Sequence, residues 1–286
     1  MRTIIKRTIL SLSLLLFLSA CSIKTIYNNL DWALEGMVDD YVSLSDAQEL
    51  DVEQRIALLL KWHRETQLTE YVNDLEAIKE FTAKGMDDES AETMFATFME
   101  RWNTMKVKVA PDMADLFLTL NDKQINELFV RLEEENEELN EEYNETTEEE
   151  KREKGGDKLI SNFSDWLGPL SDEQKQILRS WPPRFKSAHA DRMEFRKKWQ
   201  AALREILQSD SPNSEKRSKL ITLAEKPDVY QSEQHKAKLV YNSKQVKELI
   251  LTFDQTVTTE QKTYLAERLD YFIVNFKELA AEAEES

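Results

Sequence analysis

Four residues near the start of the chain, Leu18-Ser19-Ala20-Cys21, suit one kind of chemistry. Small side chains at 19 and 20 let a signal peptidase approach the backbone closely. The cysteine at the cut supplies a thiolate that accepts a diacylglycerol. The preceding residues fit this reading. Arg2, Lys6 and Arg7 form a short basic opening, and residues 9–18 are only Ile, Leu, Ser and Phe. An uncharged run of about ten residues suits a signal-peptide core and is too short for a bilayer-spanning helix of about twenty. Residues 1–20 are therefore expected to be removed, leaving lipid-carrying Cys21 as the first residue and membrane anchor. Cys21 is the only cysteine. Lipidation accounts for it, so neither a disulfide nor a catalytic or metal-binding thiol remains.

Other chemistry has little to stand on. His63, His189 and His235 have no second His or Cys at ligand spacing. The chain lacks GxSxG, P-loop and Gly-rich dinucleotide signatures. The acid pairs Asp39-Asp40 and Asp87-Asp88 are adjacent in sequence, and such neighbours do not face each other on a helix; capping explains both better than acid–base catalysis. No catalytic residue, metal or cofactor is expected. The competing enzyme reading, a hydrolase acting on peptidoglycan, would draw its acids from Glu35, Asp39 or Asp40. Trp62, Trp102, Trp166, Trp181 and Trp199 are dispersed at helical positions and read as core.

The elements around these residues read as helices. Gly 5 and Pro 6 in 286 residues leave few turn formers. Leu265, Leu269, Phe272, Phe276 and Leu279 form one helical stripe. Val246–Val257, Ile125–Tyr143 and Met94, Phe98, Trp102, Met105 give others. The expected fold is all-α, an antiparallel multi-helix bundle of long amphipathic helices packing these stripes together. Four starts share one signature, an apolar residue, then Ser, Asn or Thr, then Gln three residues on: Ser45/Gln48, Asn121/Gln124, Ser171/Gln174 and Thr258/Gln261. In a capping box the short side chain accepts from the N3 amide and the Gln reaches back to the cap amide. The irregular intervals exclude a fixed-period solenoid.

Domain organisation follows from these marks: a signal peptide (1–20), a lipidated N-terminus with a first helical segment (21–43), and two helical halves (44–155 and 156–286). The glycines, including Gly155-Gly156, read as helix ends and turns, and a new helix is expected near Pro183. Residues 133–154 hold twelve Glu and a net charge of −9, while residues 175–204 carry +7. The basic stretch is either an exposed face neutralised by the acidic one or a docking surface built from Arg184, Lys186, Arg192, Arg196, Lys197 and Lys198. Loss of residues 1–20 takes the net charge from −17 to −20. A body this acidic repels nucleic acid and anionic headgroups.

Leu18 to Cys21 resembles the lipobox of bacterial lipoproteins. By that resemblance Ser22, standing where Asp commonly signals inner-membrane retention, directs the protein to the periplasmic side of the outer membrane, with the inner membrane as the alternative. Tyr27-Asn28-Asn29-Leu30-Asp31-Trp32, Val38 to Tyr41 and Leu44 to Gln48 resemble an uncharacterised family of proteobacterial lipoproteins, with looser matches at Trp199-Gln200, Leu203, Pro227, Tyr230, Asn242 and Thr258 to Gln261. That resemblance implies the address and helical fold and assigns no activity. The capping signature is also similar to the LTxxQ motif of Spy/CpxP periplasmic chaperones, although Asn121 replaces Thr in the second copy. The expected function is a membrane-anchored interaction or chaperone-like module with a periplasmic protein partner; carriage of a lipid or small ligand stands beside the enzyme reading as an alternative.

Overall fold

The computed structural model describes residues 23–284. Residues 1–20, expected to be a signal peptide, lie outside the described residues, as do Cys21 and Ser22. Those described form an all-α multi-helix bundle. In chain order the helices are α1 (Ile23–Tyr27), α2 (Leu30–Asp39), α3 (Asp46–Trp62), α4 (Leu68–Lys84), α5 (Asp88–Thr119), α6 (Asp122–Glu145), α7 (Glu148–Leu167), α8 (Asp172–Ser180), α9 (His189–Gln208), α10 (Asn213–Glu225), α11 (Glu233–Asp254) and α12 (Thr259–Glu284). A π-helical turn, His63–Gln67, joins α3 to α4, and short 3₁₀ turns cover Pro182–Arg184 and Pro227–Tyr230.

Caps set most of these starts. Asn121 and Ser171 accept from the Gln124 and Gln174 amides, while the two glutamines accept from the cap amides. Thr258 and Gln261 do the same. At Ser45, amide and hydroxyl both donate to Gln48 Oε1. Asp87 and Thr147 cap α5 and α7 in the same way, with Ser90 and Glu150 in the reciprocal position. The Asp87 carboxylate is thus committed to a helix start, and Asp40 closes α2.

Packing follows the apolar stripes. α5 and α10 meet through Ala110 and Ala114, buried small residues that allow close approach, and a bidentate Arg217–Asp115 pair ties them. α4 lies along α12. One core gathers Val42, Ile125, Leu128, Phe129, Leu203 and Leu220; a second gathers Leu167, Leu178, Trp181, Leu249 and Phe253.

Two local readings change. Gly155 and Gly156 sit inside α7, so the division between 155 and 156 falls within a helix. Their missing side chains serve a close crossing: a Cβ at Gly156 would stand 3.2 Å from Arg179 Cα in α8. Pro182-Pro183 start only a 3₁₀ turn, because proline's fixed φ suits a first turn but removes a helical donor; the α-helix resumes at His189.

Candidate functional site

The side chains of the repeated signature meet in pairs. Gln124 Nε2 donates to Gln48 Oε1 at 2.7 Å, and Gln48 Nε2 returns a bond to Gln124 Oε1 at 3.3 Å. Gln174 and Gln261 exchange the same two bonds at 2.8 and 2.9 Å. Each glutamine also donates to a carbonyl two residues before its partner's cap: Gln48 to Thr119, Gln124 to Ser43, Gln174 to Thr256 and Gln261 to Pro169. The pairs therefore lock the starts of α3 and α6 together, and those of α8 and α12, with the same bond pattern. Burial demands that amide groups be satisfied, and each pair meets that demand internally. The signature is more than local capping, and nothing in its spacing specified the pairing.

Apolar clefts remain among the helices. In the first, of about 460 Å³, Tyr71 and Ile78 of α4, Met94, Phe98 and Trp102 of α5, and Phe276 of α12 form part of the wall. Trp166 also lines it and stacks on Phe272, ring centroids 5.3 Å apart. The α5 stripe expected in the core is instead its open edge: Phe98 is 68 % exposed, Trp102 55 %, and neighbouring Met99 58 %. Arg101 stands at the rim, held by both Asp74 oxygens and Glu70. The second cleft, about 480 Å³, lies beneath α2 and between α3, α5, α6 and α9.

A polar cluster adjoins the first cleft. Tyr27 Oη lies 2.7 Å from His63 Nδ1, and Tyr71 Oη lies 3.3 Å from His63 Nε2. Arg64 lies over the Tyr27 ring and donates to Asn28. Burial holds the His63 imidazole down to about 4, a neutral ring that can accept from Tyr27 and donate to Tyr71. The π-helical turn at His63 presents the ring to both tyrosines; such turns often mark functional sites. The cluster joins α1 to the body. Lys24 adds ion pairs with Glu278 and Glu282 of α12.

The basic segment partly neutralises the acidic one. Arg196 pairs with Glu135 at 2.8 Å and donates to buried Asn136, which bonds Gln200. His189 stacks on Tyr143, and its Nε2 lies 2.9 Å from Asn140 Oδ1. Arg184 lies over Trp181, Lys186 over Tyr241, and Lys198 pairs with Glu194. Arg192 and Lys197 are exposed on α9. Glu35, Asp39 and Asp40 share α2 and its end; desolvation raises the Glu35 pKa, and the neighbouring charges of Glu53, Asp31 and Asp39 add to it. Among the described residues no three His, Cys, Asp or Glu side chains form a metal-holding group, and no helix is long and apolar enough to cross a membrane.

Helix starts locked in pairs by amide exchange, with apolar clefts left among the helices, define an all-helical bundle. The chain belongs to DUF6279, a family of unknown function, which matches residues 40–236. The match takes in Trp199-Gln200, Pro227 and Tyr230, and leaves out Tyr27 to Trp32, Asn242 and the last capping signature. No curated protein and no solved structure matches the chain.

Proposed function

We propose that this protein is a lipoprotein tethered through Cys21 to the periplasmic face of the outer membrane, where it acts as a chaperone-like interaction module for apolar segments of other proteins. The open edge of the first cleft carries this reading. Phe98, Met99 and Trp102 stand exposed together on α5 beside an aromatic-lined groove. Contiguous exposed apolar surface beside a groove is characteristic of interaction sites. Methionine and aromatic side chains adapt to varied apolar partners. The likeness of the capping signature to the LTxxQ motif of Spy/CpxP chaperones supports the same reading, as does the lipobox at Leu18 to Cys21.

Two measurements test it. Purified Cys21→Ala protein should suppress aggregation of heat-denatured malate dehydrogenase at near-stoichiometric ratio, and Phe98→Ser/Trp102→Ser should lose that effect while remaining folded. Equal suppression by the double variant, or none by the parent, refutes the client reading. Separately, the Cys21→Ala precursor should leave the membrane fraction; retention there refutes the anchor.

A further inference from the structure

We infer that the cleft beneath α2 holds one acyl chain of a zwitterionic membrane phospholipid. The inference rests on the anchor at Cys21 for the source of the lipid and is independent of client binding in the other cleft. The volume, about 480 Å³, lies in the range of small-ligand sites. Its wall is aliphatic and aromatic apart from Tyr41 and the Arg55–Asp112 pair. The lid is unusual. Leu34, Met37, Val38 and Tyr41 of α2 and its end face the cleft, yet no residue of α2 is fully buried. An apolar wall with a half-buried lid suits a flexible chain that enters from the side.

The source is set by position. Leu30, where the lid begins, follows Cys21 by nine residues, about 32 Å at full extension, and α1 shortens that reach. The lid therefore lies within reach of the leaflet that would hold the lipidated cysteine. Its opposite face presents Trp32, 74 % exposed, and tryptophan favours the boundary between headgroups and acyl chains.

The polar edge sets the headgroup. Arg55 is held by Asp51 at 2.7 Å and Asp112 at 2.8 Å, with Asp115 at 3.5 Å. Asp115 is shared with Arg217. Three carboxylates surround two guanidiniums, and of these groups Arg55 and Asp112 line the cleft, so its edge carries a salt-bridged cation within a surplus of negative charge that suits an ammonium. Together with the acidic body, this disfavours a purely anionic headgroup.

Trp199 lines this cleft and serves as the reporter. Cys21→Ala protein is mixed with vesicles of phosphatidylcholine brominated on its acyl chains, and tryptophan quenching is read. Quenching should persist in Trp32→Phe and largely vanish in Trp199→Phe. Met113→Arg, which places a charge in the cleft, should abolish Trp199 quenching with the helical circular dichroism unchanged. Met37→Arg on the exposed lid makes the same test should Met113→Arg not fold. Replacing the lipid by brominated phosphatidylglycerol should weaken quenching several-fold. Quenching carried by Trp32 alone means surface adsorption and overturns the assignment. So does unchanged quenching in folded cleft variants, a preference for phosphatidylglycerol, or occupation of the cleft by an apolar helical peptide without lipid quenching. Because this protein lacks the cysteine, the result is separate from fractionation of the precursor.

Discussion

Gln174 and Gln261 stand 87 residues apart and exchange two amide hydrogen bonds, each glutamine also accepting from its own helix cap and donating to a carbonyl just before its partner's cap. Every polar group of the pair is used. Removing one side chain opens a cap and leaves the other amide short of partners in a buried site. Gln174→Ala is expected to cost about 2–4 kcal/mol, from an unsatisfied buried group plus a weakened cap. Urea unfolding should show this, with a smaller loss for Gln48→Ala in the more exposed pair. The Gln174→Ala/Gln261→Ala double variant should lose less than the sum of the singles, a coupling of about 0.5–3 kcal/mol.

The two helical glycines Gly36 and Gly156 should respond to alanine with opposite signs. Around Gly36 a new Cβ meets nothing within 4 Å, so Gly36→Ala should stabilise by about 0.5–1 kcal/mol through helix propensity and unfolded-state entropy. At Gly156 the new atom meets the Arg179 backbone at 3.2 Å. Overpacking of about 1–3 kcal/mol should outweigh the propensity gain, so Gly156→Ala should lower the thermal midpoint.

His63 should make stability fall as pH drops. Its folded pKa, about 4, lies below the ordinary 6.5 because burial disfavours the charged ring. A lowered histidine pKa gives a contribution fully present above pH 6.5 and lost progressively between 6.5 and 4 as the unfolded chain takes up protons first. The size is about 1.4 kcal/mol per unit of displacement. Carboxylates titrate nearby, so the measurement is the difference in unfolding free energy between the parent and His63→Phe. That difference should shrink from pH 7 to pH 4; a pH-independent difference contradicts a buried neutral imidazole.

The exposed edge of the first cleft separates binding from folding. Phe98→Ser and Trp102→Ser remove side chains that are mostly in solvent. Each should change unfolding free energy by no more than about 0.5 kcal/mol, while aggregation suppression falls. A large stability loss would instead mean that these side chains belong to the core.

Much of the helical framework was legible in the chain, because caps and 3.6-residue stripes are local. Ser45, Asn121, Ser171 and Thr258 mark helix starts by the bonds a short side chain makes within its own turn. The stripe from Leu265 to Leu279 became α12 for the same reason. Local rules also misled. Gly155-Gly156 read as a break because a glycine's cost in a helix is local, whereas the benefit of its missing side chain comes from α8, which crosses there.

By itself the sequence determined an all-helical chain with these capped starts, a strongly acidic body, and an opening segment whose resemblance to a lipobox rests on residue order alone. Tertiary structure decided which caps meet, since Gln48 and Gln124 are 76 residues apart and only packing brings their amides together. It also decided that Phe98 and Trp102 line an open cleft. Periodicity shows that a helix has an apolar face; it does not show whether another helix covers that face, because covering depends on where distant segments run.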